Sequence, residues 1–324
     1  MKQKIEIQYI DTFSLCSADH FKIIKGIAIL MVLVGVVCNK FFSLPELYCL
    51  TGVGSAIFLF CSGYGLSESY SFKGGLIHFW ENKVIGVWIP SLVQLLLCSM
   101  IFRGDFLRWT RTAPLGLSGW FLYILMGCYA AFWAAFTLFS AKKTRLTILA
   151  ILAASAACML EKSLHAELML AFPLGVMYSQ LNLREKTKKL KVPGKLLVTV
   201  VCAGLSLGGW YVSGLVQQPM LVTVCLMISK TATAMLVVFG TYFLRSLPVF
   251  GVFAPFGIIS YGLYLFHGDI LTLVEQTDFW KSLGISMAIL LAAAGVFSWL
   301  RSWFIRFNKK CRRRRKTHLK GAMW

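Results

Sequence analysis

Three groups of side chains in this sequence could do acid–base chemistry, and all three lie where charge is costly. Lys230 stands in Met227-Ile228-Ser229-Lys230-Thr231-Ala232-Thr233, in the middle of the apolar run Leu221 to Phe243. A lysine at the centre of a membrane helix costs about 2.5–3.5 kcal/mol on insertion scales. It must therefore meet a partner or water. The bland reading is a structural pair or a snorkelling side chain, but snorkelling is hard from this depth, and a polar cavity wall is the preferred reading. Ser260, Tyr264 and His267 fall at i, i+4 and i+7, one stripe on one helix face. Asp269, two residues further on, points elsewhere. A single histidine is more often a packing residue than a catalyst, but three polar groups on one membrane-helix face argue for a cavity wall. Cys61, Tyr64 and Glu68, with Ser62 and Gly63 beside them, form a similar but weaker stripe, because small residues also serve close helix packing. His267 and Lys230 can both titrate when buried, which makes them the candidate general bases, with Tyr264 next to the histidine.

The elements that must carry these groups are membrane helices. The run Phe21 to Phe42 opens on Lys22 and Lys25 and continues apolar from Gly26 to Cys38, with no polar face for water. Apolar residues make up 58% of the chain and charged residues only 14%, and the mean hydropathy is +0.71. A water-soluble fold could not hide that much apolar surface, so lipid is the expected solvent. The net charge of +20 is spread over short loops and a terminal tail, which is a topology signal and argues against nucleic acid as a partner. Asn39-Lys40-Phe41-Phe42 offers no small-residue cleavage site, so the first run is read as a retained helix. The ten cysteines show no paired spacing and lie mostly in apolar runs, as packing residues rather than disulfides or metal ligands. No metal is expected. Phosphate-binding Gly-Lys loops, Gly-x-Ser-x-Gly and His-Glu-x-x-His are all missing.

The expected fold is an all-α membrane protein, a bundle of about ten transmembrane helices. Residues 1–20 form a cytoplasmic N-terminal segment, 21–304 the bundle and 305–324 a basic cytoplasmic tail. The spans run near Phe21–Phe42, Thr51–Tyr70, Val84–Phe102, Trp120–Phe139, Leu146–Leu160, a short sixth ending at Leu181, Leu196–Leu215, Leu221–Phe243, Phe256–Val274 and Leu283–Trp303. Glu161 to His165 reads as a tight turn and Arg103 to Gly119 as a loop. The two densest basic segments, Arg184–Lys195 and the tail with Lys309, Lys310, Arg312 to Arg315 and Lys316, are four spans apart and so share one side. Arg103, Arg108 and Arg111 are the exception among the opposite loops. The positive-inside bias then puts both termini in the cytoplasm, with the tail beside anionic lipid.

Several stretches together carry a resemblance. Lys25-Gly26-Ile27-Ala28-Ile29-Leu30-Met31-Val32, Ile57 to Gly65, Lys83 with Trp88-Ile89-Pro90, Gly119-Trp120-Phe121-Leu122 and Ile259 to His267 follow one another in the order of the acyltransferase-3 family, which the chain resembles over most of its length. The resemblance implies a bundle of about ten helices that takes an acyl group, commonly acetyl, from cytoplasmic acyl-CoA. The acceptor it implies is a hydroxyl of an envelope sugar or polysaccharide, and the implied setting is a bacterial inner (plasma) membrane. Lys25 corresponds to the family's basic residue at the start of the first span. Lys25 and Lys83 would meet the phosphates of CoA through charge-assisted contacts, with Ser62 of the second-span motif added to the donor contacts.

Two positions depart from the family's pattern. Its catalytic histidine, eleven residues beyond Lys25, falls on Val36, and a second basic residue after Lys83 falls on Gly86. Deprotonating a hydroxyl needs a base near neutral pKa, which valine cannot supply. One reading is therefore an O-acyltransferase in which His267 or Lys230 is the base. Another is a non-catalytic relative that binds an envelope precursor or assists a partner enzyme. A third is a transporter in which Lys230 holds an anionic substrate.

Overall fold

A computed structural model describes residues 15–103, 119–160, 166–244, 247–274 and 278–321. The described residues are helical throughout, with short 3-10 and π turns and no strand. The helices are α1 (Ala18–Phe42), α2 (Cys49–Lys73), α3 (Phe79–Ile101), α4 (Trp120–Leu138), α5 (Lys142–Met159), α6 (Ala171–Gln180), α7 (Leu183–Lys188), α8 (Val192–Leu215), α9 (Pro219–Phe243), α10 (Ala254–Ile270) and α11 (Phe279–Gly321). Eight of these regions are long and apolar enough to cross a membrane: α1 to α4, α8, α9, the stretch Val249–Leu273 containing α10, and Phe279–Asn308 in α11. The chain is an all-α membrane bundle.

The fifth and sixth spans expected from sequence are helices, but short ones. α5 spends its first turn on Lys142, Lys143 and Arg145, and α6 has 10 residues, which rise about 15 Å, half of a hydrocarbon layer. The expected turn Glu161–His165, residues 104–118 with Arg108 and Arg111, and most of residues 1–20 lie outside the described residues. α11 runs as one helix of 43 residues through the basic stretch. The end of the last span is thus set by charge and not by a helix break.

Helix ends follow local chemistry. Ser17 caps α1 by accepting from the His20 amide at 3.2 Å, and the helix closes on Ser43 at φ 52°. Gly74, at φ 66°, ends α2 in the left-handed conformation that glycine adopts without strain. His20 is fully buried. Its Nδ1 accepts from the Cys16 amide at 3.1 Å and its Nε2–H donates to Thr241 Oγ1 at 3.0 Å. Those two bonds dictate the neutral tautomer and tie the start of α1 to the end of α9.

The chain forms two compact units. The first holds residues 1–77 and 123–258, the second residues 78–122 and 259–324. In the first, small residues let helices touch backbone to backbone, which is what drives association where lipid removes the hydrophobic difference. A side chain at Gly63 would strike the Phe172 carbonyl, and one at Gly175 the Phe60 carbonyl, across the α2–α6 crossing. Gly26 and Gly257 play the same part between α1 and the start of α10. Across α8 and α9, Gly209 faces the Cys225 carbonyl, while Ser229 Oγ donates to the Ser206 carbonyl at 2.6 Å. In the second unit Gly262 lies against Ala294 of α11.

Gly175→Val should therefore destabilise the bundle by about 1–3 kcal/mol, because the obstructing atom is backbone and cannot swing aside. Gly204→Val, on an open face of α8, should be silent. Thermal unfolding in detergent of the two variants against wild type reads the difference, and equal melting temperatures would contradict this packing.

Candidate functional site

Lys230 is 9% exposed and ends in an ion pair with Glu167 Oε2 in the first unit. The two side chains are 11% and 13% exposed. Glu167 sits on the 3-10 turn Ala166–Leu168, between α5 and the short α6, and its neighbours Ala166 and Leu168 are fully buried. Lys230 is near the middle of the 25-residue α9, so this turn meets α9 at mid-depth. Non-helical backbone is tolerated there because protein covers it. The lysine is thus held by a carboxylate, as a structural pair, where the preferred expectation is a cavity wall. Glu167 carried a signal in the sequence, a single acid in an apolar stretch at the start of the sixth span. Only the fold shows that the two charges meet. Beside the pair, Thr231 is buried and its hydroxyl has no hydrogen-bond partner among the described residues.

In the second unit, α10 presents the expected stripe. Ser260 is buried, while Tyr264 and His267 are half-buried. His267 Nδ1–H donates to the Tyr264 carbonyl at 2.6 Å, which leaves Nε2 with its lone pair and able to accept a proton. The two rings lie 5.5 Å apart. Tyr264 packs edge-on against Phe121 at 5.3 Å, and a Cβ added to Gly119, which stands at φ 81°, would come within 3.1 Å of the tyrosine hydroxyl. Asp269 leaves α10 on another side, as its spacing required, and accepts from Gln94 Nε2 of α3 at 3.0 Å.

α3 contains a π turn, Val84–Trp88, that follows Lys83. Two carbonyls of this turn accept hydrogen bonds from side chains of other helices. Arg301 of α11 donates to the Gly86 carbonyl from Nε at 2.9 Å and Nη2 at 2.6 Å, and Tyr261 of α10 donates its hydroxyl to the Val87 carbonyl at 2.7 Å. The Arg301 guanidinium also stacks on the Tyr261 ring at 4.7 Å. Lys83 is half-buried, with Nζ 5.7 Å above the Phe79 ring. Arg301, Tyr261 and Gln94 were not singled out from the sequence, since an arginine near the end of a span reads as an interface anchor.

The model of the acyltransferase domain matches residues 19–307, nearly the whole chain. The chain belongs to the acyltransferase-3 family. No curated protein and no solved structure matches it. Against the family's pattern, Lys25 is half-buried on α1, with Nζ 5.7 Å above the Phe21 ring, which in turn meets Tyr64 edge-on at 5.5 Å. Val36 is half-buried on the same helix, and Ser62 is half-buried on α2 beside the packed Gly63. Eleven residues make about three helical turns and about 16 Å, so Val36 shares the face of Lys25 at greater depth. At the other departure, a Cβ on Gly86 would lie 3.8 Å from Arg301 Nη2. A guanidinium thus stands beside the position where an acyltransferase-3 protein often carries its second basic side chain.

The candidate residues divide between the units. Lys25, Ser62 and Lys230 belong to the first, Lys83, Tyr264 and His267 to the second. Burial pushes the Cys16 thiol above its usual range, which removes it as a nucleophile. Among the described residues no cluster of His, Cys, Asp or Glu could hold a metal ion.

Proposed function

We propose that this acyltransferase-3 protein is an O-acyltransferase that moves an acyl group, acetyl in the simplest case, from cytoplasmic acyl-CoA to a hydroxyl of an envelope sugar or polysaccharide in a bacterial inner membrane. The observation that carries the reading is the fixed tautomer of His267, whose Nδ1–H is committed to the Tyr264 carbonyl. His267 Nε2 takes the proton of the acceptor hydroxyl as its oxygen attacks the thioester carbonyl. The C–O bond forms, the C–S bond breaks, and the departing thiolate of CoA takes the proton from the imidazolium. Lys83 and Arg301, both placed at the start of α3, supply positive charge for the phosphates of CoA. Lys230, engaged by Glu167, is the weaker candidate for a base. Transfer of labelled acetyl from acetyl-CoA to envelope material, measured in membranes carrying wild type or His267→Ala at matched expression, tests the reading. Transfer that survives the substitution removes His267 as the base.

One observation favours a second reading. Val36 occupies the place of the family's histidine, as it would in a non-catalytic relative that binds an envelope precursor or assists a partner enzyme. Val36→His separates the two, because an intact but disarmed scaffold should gain acyl-CoA-dependent transfer.

The donor side requires the basic loops to face the cytoplasm, with both termini there. Single-cysteine variants in a background without the ten native cysteines should label from outside at Ser43 or Gly214 and not at Lys189. Outside labelling at Lys189 in intact cells would reverse the orientation.

A further inference from the structure

A closed ring of contacts surrounds the π turn of α3, all of it within the second unit. Gly86 and Val87 are consecutive, and their carbonyls accept from two side chains that touch each other. Arg301 of α11 donates to the Gly86 carbonyl from Nε and Nη2, and the Tyr261 hydroxyl of α10 donates to the Val87 carbonyl at 2.7 Å. The ring closes where the Arg301 guanidinium lies 4.7 Å over the Tyr261 ring. Tyr261 therefore holds the turn through its hydroxyl and the cation through its ring face. A Cβ on Gly86 would lie 3.8 Å from Arg301 Nη2, so the guanidinium rests on bare backbone. Lys83 is the residue just before this turn.

We propose that Tyr261 is a positioning residue for the acyl donor: it seats Arg301 against the π turn, so that the guanidinium meets the phosphates of CoA already fixed in place. The inference rests on the donor reading above and adds the residue through which Arg301 is oriented. Tyr261 is not itself a contact of CoA. An arginine side chain has many rotamers, and ordering it at the moment of binding costs affinity. Here the ordering is done beforehand, by the ring under the guanidinium and by the carbonyl beside the one that Tyr261 holds. The hydroxyl and the ring face serve the same end, because the peptide that Tyr261 grips is the neighbour of the peptide that seats Arg301. Tyr261 also precedes His267 by six residues on α10, so one helix both orients the cation for the donor and carries the proposed base.

The test uses the full-length protein in lipid nanodiscs and calorimetric titration with CoA itself, which needs no acceptor and no transfer. Tyr261→Leu removes the hydroxyl and the ring face and should weaken CoA binding about thirtyfold. Tyr261→Phe keeps the ring under the guanidinium and should weaken it only about fivefold. Arg301→Met should lose about a hundredfold. Adding either Tyr261 substitution to Arg301→Met should lose nothing more, because the tyrosine acts through the guanidinium. A tyrosine that merely supports the fold would weaken the Arg301→Met protein by the same factor as wild type. Should the leucine variant fail to fold, Tyr261→Phe carries the same cycle. Wild type that binds no CoA would overturn the donor reading and this proposal with it. Wild-type binding that is unchanged in the Tyr261 variants, or factors that multiply in the double variant, would overturn the proposal alone.

Discussion

Lys230→Met should destabilise the protein by about 3–5 kcal/mol, the usual cost of leaving one member of a buried ion pair without its partner. Methionine is close to lysine in length and is at home in an apolar helix, so the substitution considered by itself looks benign. The cost comes from Glu167, which is 13% exposed and would lose its counter-charge at mid-depth. The turn Ala166–Leu168 that carries Glu167 has no long helix to hold it in place, so the lysine is expected to anchor that turn against α9. Glu167→Gln alone should cost a comparable amount, because it leaves the lysine without its counter-charge. The double variant Lys230→Met with Glu167→Gln removes both charges and should recover most of the loss. Melting temperatures in detergent for the four members of the cycle measure the coupling directly. Additive losses would show that the pair holds nothing together. If the double variant is stable and still transfers acetyl, Lys230 is a structural residue and not a base.

His267→Ala should lower acetyl transfer by about 10²–10⁴-fold, the range that removal of a general base commonly costs, with little change in melting temperature. The ring is held by the Tyr264 carbonyl and by contact with the Tyr264 ring, so the loss of packing is small beside the loss of the proton acceptor. Val36→Ala should matter little in the same assay. Tyr264→Phe keeps the backbone carbonyl that orients Nδ1–H, and should leave the histidine competent. A large loss of transfer in Tyr264→Phe would instead give the tyrosine hydroxyl a part of its own. If wild type shows no transfer and Val36→His creates it, the scaffold is disarmed and His267 is a packing residue. Should neither protein transfer acetyl, the binding or transport reading would stand in its place.

Hydropathy and charge were enough to place α1 to α4 and α8 to α11, because membrane helices satisfy their backbone internally and must be apolar along their length. The His267 stripe was legible for the same reason: residues at i, i+4 and i+7 share a face whatever surrounds the helix. The loss of the family's histidine at Val36 was also a property of the chain alone. Partners across helices were not legible. Lys230 announced that it needed a counter-charge, yet Glu167 is 63 residues away and sits on a turn that interrupts the expected sixth span. The cation beside Gly86 comes from Arg301, 215 residues on, and the acceptor of the Gln94 amide is 175 residues on. Which glycines bear on a neighbouring backbone, such as Gly63 and Gly175, and which face open space, such as Gly204 and Gly208, also waited on the fold. Periodicity states which face of a helix a residue occupies. What lies opposite that face is set by how the helices cross, and only the tertiary structure decides that.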